Sequence, residues 1–353
     1  MKDISEIDVN FKVESKINKE GIKFYNTLSS PFKIYGVHME NGKFRRLPED
    51  IAKSVSDKVH YLHANTAGGR VRFKTNSPYI AIHAVMGSIG KMPHFALTGS
   101  AGFDMYIKED NFQKYVGSFM PPFNIEGGYE GIIELKTEKL REVTINFPLY
   151  SEVTELYIGL CETSAVSSPA PYKYEKPVVY YGSSITQGGC ASRPGNSYQS
   201  IISRRFDCNY INLGFSGSAR GEKEITDYIK QLDMSVFVYD YDHNAPNVEH
   251  LANTHEAMFR AIREAKPELP IIIMPRPKFY IDKVEEERLA IIKATYRNAV
   301  ASGDKNVYFI LGRELMAMAG NEGTVDNCHP NDLGFASMAR ALGDLIEKSG
   351  IIL

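Results

Sequence analysis

The chain has 353 residues, 43% of them hydrophobic, and a formal net charge of -2 from 41 basic and 43 acidic residues. A single hydrophobic core rarely grows past about 250 to 300 residues, so this length predicts two domains. The two kinds of charge are interspersed and no Lys/Arg run could follow a phosphate backbone, which argues against nucleic acid as a partner and favours a weakly charged substrate.

The amino-terminal segment carries acidic residues early and lacks the apolar stretch of roughly 7 to 15 residues that a signal peptide needs. Nowhere does the sequence approach the ~20 consecutive apolar residues of a membrane-spanning helix. We therefore expect a soluble, cytoplasmic protein that does not bind membranes; its oligomeric state is not readable from the sequence.

The cysteines are scattered without C-x-x-C spacing, which argues against a zinc site or a redox motif. Reduced, structural thiols are the expected state of all four residues, Cys161, Cys190, Cys208 and Cys328. Cys328 adjoins His329, so a cysteine nucleophile is a minor alternative at that position.

The first half of the chain, from about residue 22 to 162, has short strand-like runs separated by Gly, Asn and Pro turns. Within Tyr79–Val85, the residues Ile80, Ile82 and Ala84 alternate with their neighbours, which is the period of a sheet with two distinct faces. The pattern predicts an antiparallel β-sandwich of the jelly-roll kind. The predicted strands are Val71–Thr75, Tyr79–Val85, Phe103–Lys108, Gly131–Leu135, Val143–Phe147 and Thr154–Leu160.

The stretch Ser164–Pro171 is small, polar and rich in proline, and it has no periodic apolar face. This composition indicates a linker. The predicted organisation is a β-sandwich domain over 1–163, a linker over 164–176 and a second domain over 177–353.

In the second domain, apolar strands alternate with helix-length amphipathic stretches. Continuous apolar strands joined by crossover helices predict a parallel sheet covered on both faces, a three-layer α/β/α fold. The predicted strands are Val178–Tyr181, Tyr210–Leu213, Val236–Tyr239, Ile271–Met274 and Val307–Leu311. The predicted helices are Tyr198–Phe206, Glu222–Gln231, Val248–Ala265, Lys283–Ala301 and Asn331–Lys348.

The first two strands of this sheet are followed by glycine-bearing segments, at the edge where open parallel sheets bind ligands. After the first strand, Gly182 permits a sharp exit and leaves Ser184 at the start of the next element, where a backbone N–H can face an oxyanion. After the second strand, Asn212–Arg220 can bring the N–H of Gly217 to a ligand. Taken singly, each segment is more often an ordinary turn or loop.

The third strand is followed by Asp240-Tyr241-Asp242-His243-Asn244, which supplies two carboxylates, an imidazole and an amide. The Asn244 side chain can donate a hydrogen bond to an oxyanion. His243 is an alternative candidate for a catalytic base, and Asp240 and Asp242 have the alternative roles of helix cap or salt-bridge partner.

Near the carboxyl terminus, Asp326 precedes His329 by three residues, just ahead of the last predicted helix. In a tight turn this spacing lets the carboxylate accept from the imidazole, fix its tautomer and stabilise the imidazolium. A surface histidine beside a helix cap is the alternative for this motif alone.

The four segments together, in this order, resemble the SGNH (GDSL-like) hydrolases over about residues 176 to 350. The resemblance implies a serine esterase with Ser184 as nucleophile, His329 as base and Asp326 as the acid that orients it. It also implies an oxyanion hole built from Ser184, Gly217 and Asn244. Two departures stand out: the usual Gly-Asp-Ser-Leu is Gly-Ser-Ser-Ile at 182–185, and the glycine of the third block is missing, which makes Asn244 the weakest assignment.

The first domain has its own resemblance, because GFDMY at 102–106 is similar to the Gly-x-Asp-Leu-Tyr signature of β-sandwich domains that precede such hydrolase domains. This pairing resembles two-domain carbohydrate esterases that remove acetyl groups from polysaccharides. The expected substrate is therefore a small acyl ester, an acetyl ester of a carbohydrate, and the expected mechanism needs no metal or organic cofactor.

Three further residues are candidates for substrate binding: His94, Asp242 and Arg276. The loop Lys91–Phe95 is hypothesised to reach the catalytic cleft, with an exposed connection as the alternative. Arg276 follows the fourth strand and has a structural salt bridge as its alternative role.

Two rival functions stay open. A lysophospholipase or thioesterase would use the same site with a longer acyl pocket, and a non-catalytic carbohydrate-binding protein would use the fold as a scaffold.

Overall fold

A computed structural model describes residues 15–110, 112–351 and 353. The strands of its first part are β1 (Ile22–Asn26), β2 (Lys33–Tyr35), β3 (His38–Glu40), β4 (Lys43–Arg45), β5 (Arg70–Thr75), β6 (Tyr79–Met86), β7 (Phe103–Glu109), β8 (Phe112–Phe119), β9 (Gly128–Glu134), β10 (Arg141–Asn146), β11 (Val153–Cys161) and β12 (Val166–Ser167). One antiparallel sheet has the order β1-β11-β6-β9. A second has the order β12-β5-β10-β7-β8, with β2 also pairing with β5, and β3 pairs with β4.

The two sheets share one apolar core, because the inward positions of both alternate with outward polar ones. Ile80 and Ile82 from β6 lie in the same buried cluster as Phe73 from β5 and Ile145 from β10. The predicted antiparallel, β-rich first domain is confirmed.

Three helices in this part were not predicted: α1 (Glu49–Val55), α2 (Asp57–His63) and the short α3 (Leu97–Ser100). The local signals for the first two were present in the sequence. Pro48 precedes α1, acidic residues occupy its first turn, and the Ser56 hydroxyl caps α2 by accepting from the Val59 N–H. Both helices are short, which explains why their apolar periodicity is weak.

The second part contains a five-stranded, wholly parallel sheet of order β14-β13-β15-β16-β17. Its strands are β13 (Tyr174–Gly182), β14 (Cys208–Gly214), β15 (Val236–Asp240), β16 (Ile271–Ile273) and β17 (Val307–Phe309). Its helices are α4 (Ser184–Gln187), α5 (Tyr198–Phe206), α6 (Lys223–Gln231), α7 (Val248–Ala265), α8 (Lys283–Ala301), α9 (Gly312–Leu315) and α10 (Asp332–Lys348).

Helices cover both faces of the sheet, and successive strand residues pack to opposite sides. Tyr180 and Val238 pack with α5 and α10, whereas Tyr181 and Tyr239 pack with α6, α7 and α8. The strand order reverses between β13 and β15, the place where open α/β sheets bind ligands. The predicted α/β/α fold is confirmed.

The segment predicted as a linker runs from the last strand of the first part to the first strand of the second part. Val166–Ser167 pair with β5 of the first part, and β13 of the parallel sheet begins at Tyr174. Among the described residues, no helix is both long and apolar enough to cross a membrane.

Side chains of the first part are also buried against the second. The fully buried guanidinium of Arg46 donates to the carbonyls of Asn212 and Gly214 at 3.1 and 2.6 Å, and the Arg70 guanidinium lies 4.0 Å from the centroid of the Tyr210 ring. In the same way, α1 and α2 bury Ala52 and Val59 in a cluster with residues of α6.

The signature at 102–106 takes part in this interface. The buried Asp104 carboxylate accepts from Arg193 at 2.9 Å, from the Gly195 N–H at 2.8 Å and from Asn146 at 2.8 Å. Tyr106 also hydrogen-bonds Arg193. The signature therefore holds the 3-10 turn Pro194–Asn196 of the second part against the first.

Candidate active site

Ser184 is the first residue of α4, directly after β13. The Ser183 hydroxyl caps the helix by accepting from the Ile185 N–H, and Gly188 ends it in a left-handed conformation at φ 103°. The turn is tight: a Cβ on Gly182 would lie 2.1 Å from Asp240 Oδ1 and 2.3 Å from Thr186 Oγ1. The Ser184 side chain emerges at the sheet edge with the residue 9% exposed.

A hydrogen-bonded chain joins Ser184, His329 and Asp326. Ser184 Oγ lies 2.9 Å from His329 Nε2, and His329 Nδ1 lies 2.8 Å from Asp326 Oδ2. The other Asp326 oxygen accepts from the backbone N–H groups of Cys328 and His329 at 3.1 and 2.7 Å. The fold thus brings together a hydroxyl and an imidazole that are 145 positions apart in the sequence.

The surroundings of Asp326 favour its ionised form beside the His329 ring. Partial burial acts to raise the pKa of Asp326, but hydrogen bonds from the His329 backbone and ring outweigh it and hold that pKa below its usual value. A carboxylate in this place keeps the proton on Nδ1 and leaves Nε2 able to accept one from Ser184.

Three candidate oxyanion donors lie on segments that hydrogen bonds link to α4. The N–H groups of Ser184 and Gly217 have no acceptor among the described residues. By contrast, the N–H of Ser216, the residue before Gly217, donates to Gln187 Oε1 at 3.0 Å. Gly217 has φ 67°, a left-handed conformation that favours glycine. The Asn244 amide donates one hydrogen to the Phe215 carbonyl at 3.0 Å, which leaves its second hydrogen available.

Asp240 lies beneath the serine turn and not in the cleft. Its carboxyl accepts from the Thr186 hydroxyl at 2.5 Å and from the Ser183 N–H. Burial raises the pKa of Asp240 to about 7, because no cation pairs with it among the described residues. Asp240 therefore supports the backbone of the turn that carries Ser184.

Asp242 and Arg276 are bound to each other. Asp242 is 2% exposed, and Arg276 contacts its two oxygens at 3.0 Å each, while Arg288 donates to Oδ1 at 3.1 Å. Arg276 also donates to Glu285 at 2.8 Å. This network favours the salt-bridge alternative over substrate contact for both residues.

His243 does not take part in the hydrogen-bonded chain. Burial lowers the pKa of His243 to about 3, and its Nδ1 lies 3.8 Å from Cys328 Sγ. Cys328 in turn makes this contact and not one with Ser184. The structure therefore gives no support to His243 as the base.

The first domain contributes two aromatic side chains at the serine. The Tyr150 hydroxyl donates to the Ser184 carbonyl at 3.1 Å, and the His94 ring centroid lies 5.6 Å from that of His329. His94 is exposed at the rim, in the loop hypothesised to reach the cleft. Tyr150 was missed by the sequence reasoning, because it follows an ordinary strand and carries no local motif.

The four cysteines are free thiols. Sequence reasoning did not connect Cys190 with the site. Its sulfur nevertheless lies near a ring nitrogen of His329 and a ring nitrogen of His94. It has φ 74°, a left-handed conformation that is uncommon for a residue with a Cβ.

Comparisons with known proteins give a family for each part. Residues 175–347 match the GDSL-like lipase/acylhydrolase family, and residues 22–166 match a family described as the N-terminus of SGNH-hydrolase-type esterases, whose name is the GxDLY signature. No curated protein matches the chain.

Solved structures resemble the whole chain. A protein from Bacteroides ovatus described as a GDSL-like lipase is 27% identical, with a TM-score of 0.83 over 93% of this chain and 98% of its own. A salicylyl-acyltransferase from a tetracycline biosynthetic pathway is 16% identical, with a TM-score of 0.76 over 95% and 99% of the two chains. A family two carbohydrate esterase from Cellvibrio japonicus is 11% identical, with a TM-score of 0.62 over 93% and 98%.

At these identities, the acyltransferase and the carbohydrate esterase show a common fold. The family matches account for both parts of the chain and agree with the resemblance drawn from its motifs. The chain therefore contains a GDSL-like lipase/acylhydrolase domain over 175–347, preceded over 22–166 by the GxDLY domain that forms the N-terminus of SGNH-hydrolase-type esterases.

Proposed function

We propose that this esterase removes a small acyl group, an acetyl group, from a carbohydrate through a covalent acyl-enzyme. The observation that carries the catalytic part of the proposal is the 2.9 Å contact between Ser184 Oγ and His329 Nε2, continued to Asp326. A hydroxyl, a base and an orienting acid in this order are the requirements of nucleophilic acyl transfer.

In the proposed first step, Ser184 Oγ attacks the ester carbonyl carbon while its proton passes to His329 Nε2. The carbonyl oxygen becomes an oxyanion that accepts from the N–H groups of Ser184 and Gly217 and from the Asn244 amide. The intermediate then breaks its carbon–oxygen bond to the sugar, and the imidazolium returns the proton to the leaving sugar oxygen.

In the second step, water attacks the acyl-enzyme. His329 Nε2 takes a proton from that water, and the collapse of the second intermediate returns the proton to Ser184 Oγ and frees the carboxylic acid. Asp326 keeps its negative charge throughout and stabilises the imidazolium of both steps.

Two considerations support a small acyl group on a sugar. The space beside the serine helix at Gly189 is occupied by a first-domain side chain, since a Cβ on Gly189 would lie 2.9 Å from the Tyr150 hydroxyl. The structural relatives include the carbohydrate esterase from Cellvibrio japonicus and an acetyl xylan esterase from the rumen bacterium Butyrivibrio proteoclasticus, the latter with a TM-score of 0.59 and 13% identity.

The test measures acetate release from a panel of acetylated oligosaccharides by the native protein and by Ser184→Ala. We expect release by the native protein and a loss of at least about 1000-fold in the variant, because the nucleophile is gone. Ser302→Ala is the matched control, since Ser302 is exposed at the end of α8 and its hydroxyl donates to the Asn298 carbonyl at 2.8 Å.

Two further measurements separate the rival functions. A p-nitrophenyl ester series in which the rate rises with chain length from acetate to decanoate would replace the proposal with a long-chain acyl hydrolase. A serine-directed phosphonate that fails to label the native protein would replace it with a non-catalytic carbohydrate-binding scaffold.

A further inference from the structure

Three potential metal ligands converge beside the candidate nucleophile. One nitrogen each of His94 and His329 and the sulfur of Cys190 all lie within 4.8 Å of one another. From this convergence we propose that His94, Cys190 and His329 form a binding site for a zinc-type transition-metal ion, and that the bound ion switches the esterase off.

The ligands come from three separate segments. His94 belongs to the first-domain loop between β6 and α3, Cys190 follows the end of α4 by a few residues, and His329 precedes α10. Cys190 is buried, His329 is partly buried and His94 is exposed. An ion from solvent therefore meets the exposed His94 first and the buried thiol behind it.

The donor set suits a borderline-soft cation. Zinc binds imidazole nitrogen at about 2.0–2.1 Å and thiolate sulfur at about 2.3 Å, usually with four ligands in a tetrahedron. Such a tetrahedron has edges of roughly 3.5 Å, so the three donor atoms need only small side-chain movements to close on an ion. Water completes the fourth position.

Binding releases one proton. The S–H bond of Cys190 breaks, the proton passes to water, and the sulfur lone pair forms the bond to the metal, while both imidazoles bind in their neutral form. No electron is transferred, so the step needs no oxidant or reductant.

The site excludes catalysis because it uses the base. Nδ1 of His329 is bound to Asp326 at 2.8 Å, so Nε2 is the nitrogen left for the ion. The same Nε2 lies 2.9 Å from Ser184 Oγ and takes its proton in the proposed mechanism. The inhibitory part of the inference thus rests on the proposed function, whereas the binding part does not.

The backbone of Cys190 is a second observation in favour of this site. Its φ of 74° places a residue with a Cβ in the left-handed region, directly after Gly188 and Gly189, where a third glycine would fit without strain. Residues held in such conformations cluster at functional sites.

A second set, Asp326, Cys328 and His329, also brings three donors within 4.8 Å of one another. It is the weaker candidate, because Asp326 and His329 Nδ1 already bind each other at 2.8 Å. The Cys328 sulfur, moreover, faces His243 Nδ1 at 3.8 Å.

The binding test titrates chelator-treated full-length protein with Co²⁺ and follows the thiolate-to-metal charge-transfer absorption. We expect one Co²⁺ per chain with this band, displaced by Zn²⁺. Cys190→Ser removes the band, and His94→Gln weakens Co²⁺ binding by roughly tenfold or more, because each removes a direct ligand. Cys161→Ser, in β11, is the matched control and retains the band.

The activity test adds Zn²⁺ to the same proteins. We expect Zn²⁺ to inhibit ester hydrolysis by the native protein, EDTA to restore it, and the inhibition constant of Cys190→Ser to rise by roughly tenfold or more. Should Cys190→Ser fail to fold, as judged by circular dichroism, the exposed His94→Gln decides the binding question by itself.

The outcomes separate the two proposals. A charge-transfer band lost in Cys328→Ser but kept in Cys190→Ser, or no band at all, overturns the metal site whatever the activity. A normal band in a protein that hydrolyses no ester leaves the metal site standing and rejects the proposed function alone.

Discussion

The role proposed for Asn244 depends on where the structure holds its side chain, because the glycine that usually precedes this asparagine in the family is absent. In its place, the Phe215 carbonyl holds the amide by accepting from Nδ2 at 3.0 Å. This bond ties Asn244 to the loop that also carries Gly217. The two proposed donors are therefore oriented together.

Removing the Asn244 amide is expected to slow turnover much more than it weakens substrate binding. Loss of one oxyanion donor costs about 100-fold to 1000-fold in rate, so Asn244→Ala should lower kcat for p-nitrophenyl acetate by that factor with little change in KM. Asn298→Ala, exposed on α8, is the control. A kcat within about threefold of the native value would contradict the assignment.

Asp240 makes stability depend on pH. Its pKa rises through burial from 3.8 in the unfolded chain to about 7 in the folded one. Between these values the folded protein holds a proton that the unfolded chain has released, so raising the pH favours unfolding. The stabilisation is complete below the lower value and is lost as the pH rises through the upper one.

Asp240→Asn should remove this dependence. The amide keeps an oxygen for the Thr186 hydroxyl and cannot ionise, so the free energy of unfolding should lose a slope of about 1.4 kcal/mol per pH unit between about pH 5 and pH 6. Urea unfolding at several pH values measures this slope. Asp233→Asn, whose side chain is 81% exposed, is the control that should keep it.

At the scale of elements, most boundaries follow from local patterns. The helices Tyr198–Phe206, Val248–Ala265 and Lys283–Ala301 have the predicted bounds. The last of these begins with a capping box between Asp282 and Glu285, and α7 begins with the Asn247 side chain accepting from His250. Such signals lie within one turn of the helix end and need no tertiary information.

Other elements depend on partners far along the chain. The strand β12 has two residues and exists because it pairs with β5, and β2 pairs with the same strand. The helices α1 and α2 bury their apolar residues against α6 of the other domain. Their short sequences carry too little periodicity to reveal a contact surface that forms only when the domains meet.

The β7 signature should contribute strongly to stability. Asp104→Asn places an amide donor against the donors of Arg193 and Gly195 and is expected to lower the free energy of unfolding by about 3 kcal/mol, as breaking a buried ion pair does. Urea denaturation followed by circular dichroism measures the loss.

The matched control is another ion pair between the same two parts of the chain. Lys108 pairs with Asp207 at 2.9 Å, and the two side chains are 29% and 27% exposed. Lys108→Ala should cost less than about 1 kcal/mol because solvent screens this pair. Equal losses in the two variants would contradict a special role for the signature.

At the scale of the whole molecule, Arg46 links the first domain to the candidate active site. Its guanidinium donates to the carbonyls of Leu62 and Asn65 in the first domain and of Asn212 and Gly214 at the end of β14. Burial lowers the pKa of Arg46 to about 9, which still leaves it charged at neutral pH. The loop that contains Gly217 begins at this anchor.

Arg46→Met should therefore affect both stability and catalysis. The variant leaves four buried carbonyls without their donor, and we expect a loss of at least about 3 kcal/mol in the free energy of unfolding together with a reduced kcat. Urea denaturation and ester hydrolysis are the measurements, with the exposed Arg260→Met as control. A destabilised variant with native kcat would show that Arg46 supports the fold without positioning the loop.

The sequence by itself determined the α/β class of the second domain, the β-rich first domain and the set of candidate residues Ser184, Gly217, Asn244, Asp326 and His329. The two fold classes follow from periodicity and turn residues, which are properties of neighbouring positions. The candidate residues follow from the resemblance of four ordered segments to the SGNH hydrolases.

Only the tertiary structure decided which residues of the first domain meet the site. Three contacts join positions that share no local pattern: the Tyr150 hydroxyl with the Ser184 carbonyl, the His94 ring with the His329 ring, and the Arg46 guanidinium with the Gly214 carbonyl. Their side chains are ordinary in their own segments. They acquire a role because the two domains dock and bring them within bonding distance of residues of the second domain. That docking depends on the complementary shapes of the domains and on buried polar pairs across the interface.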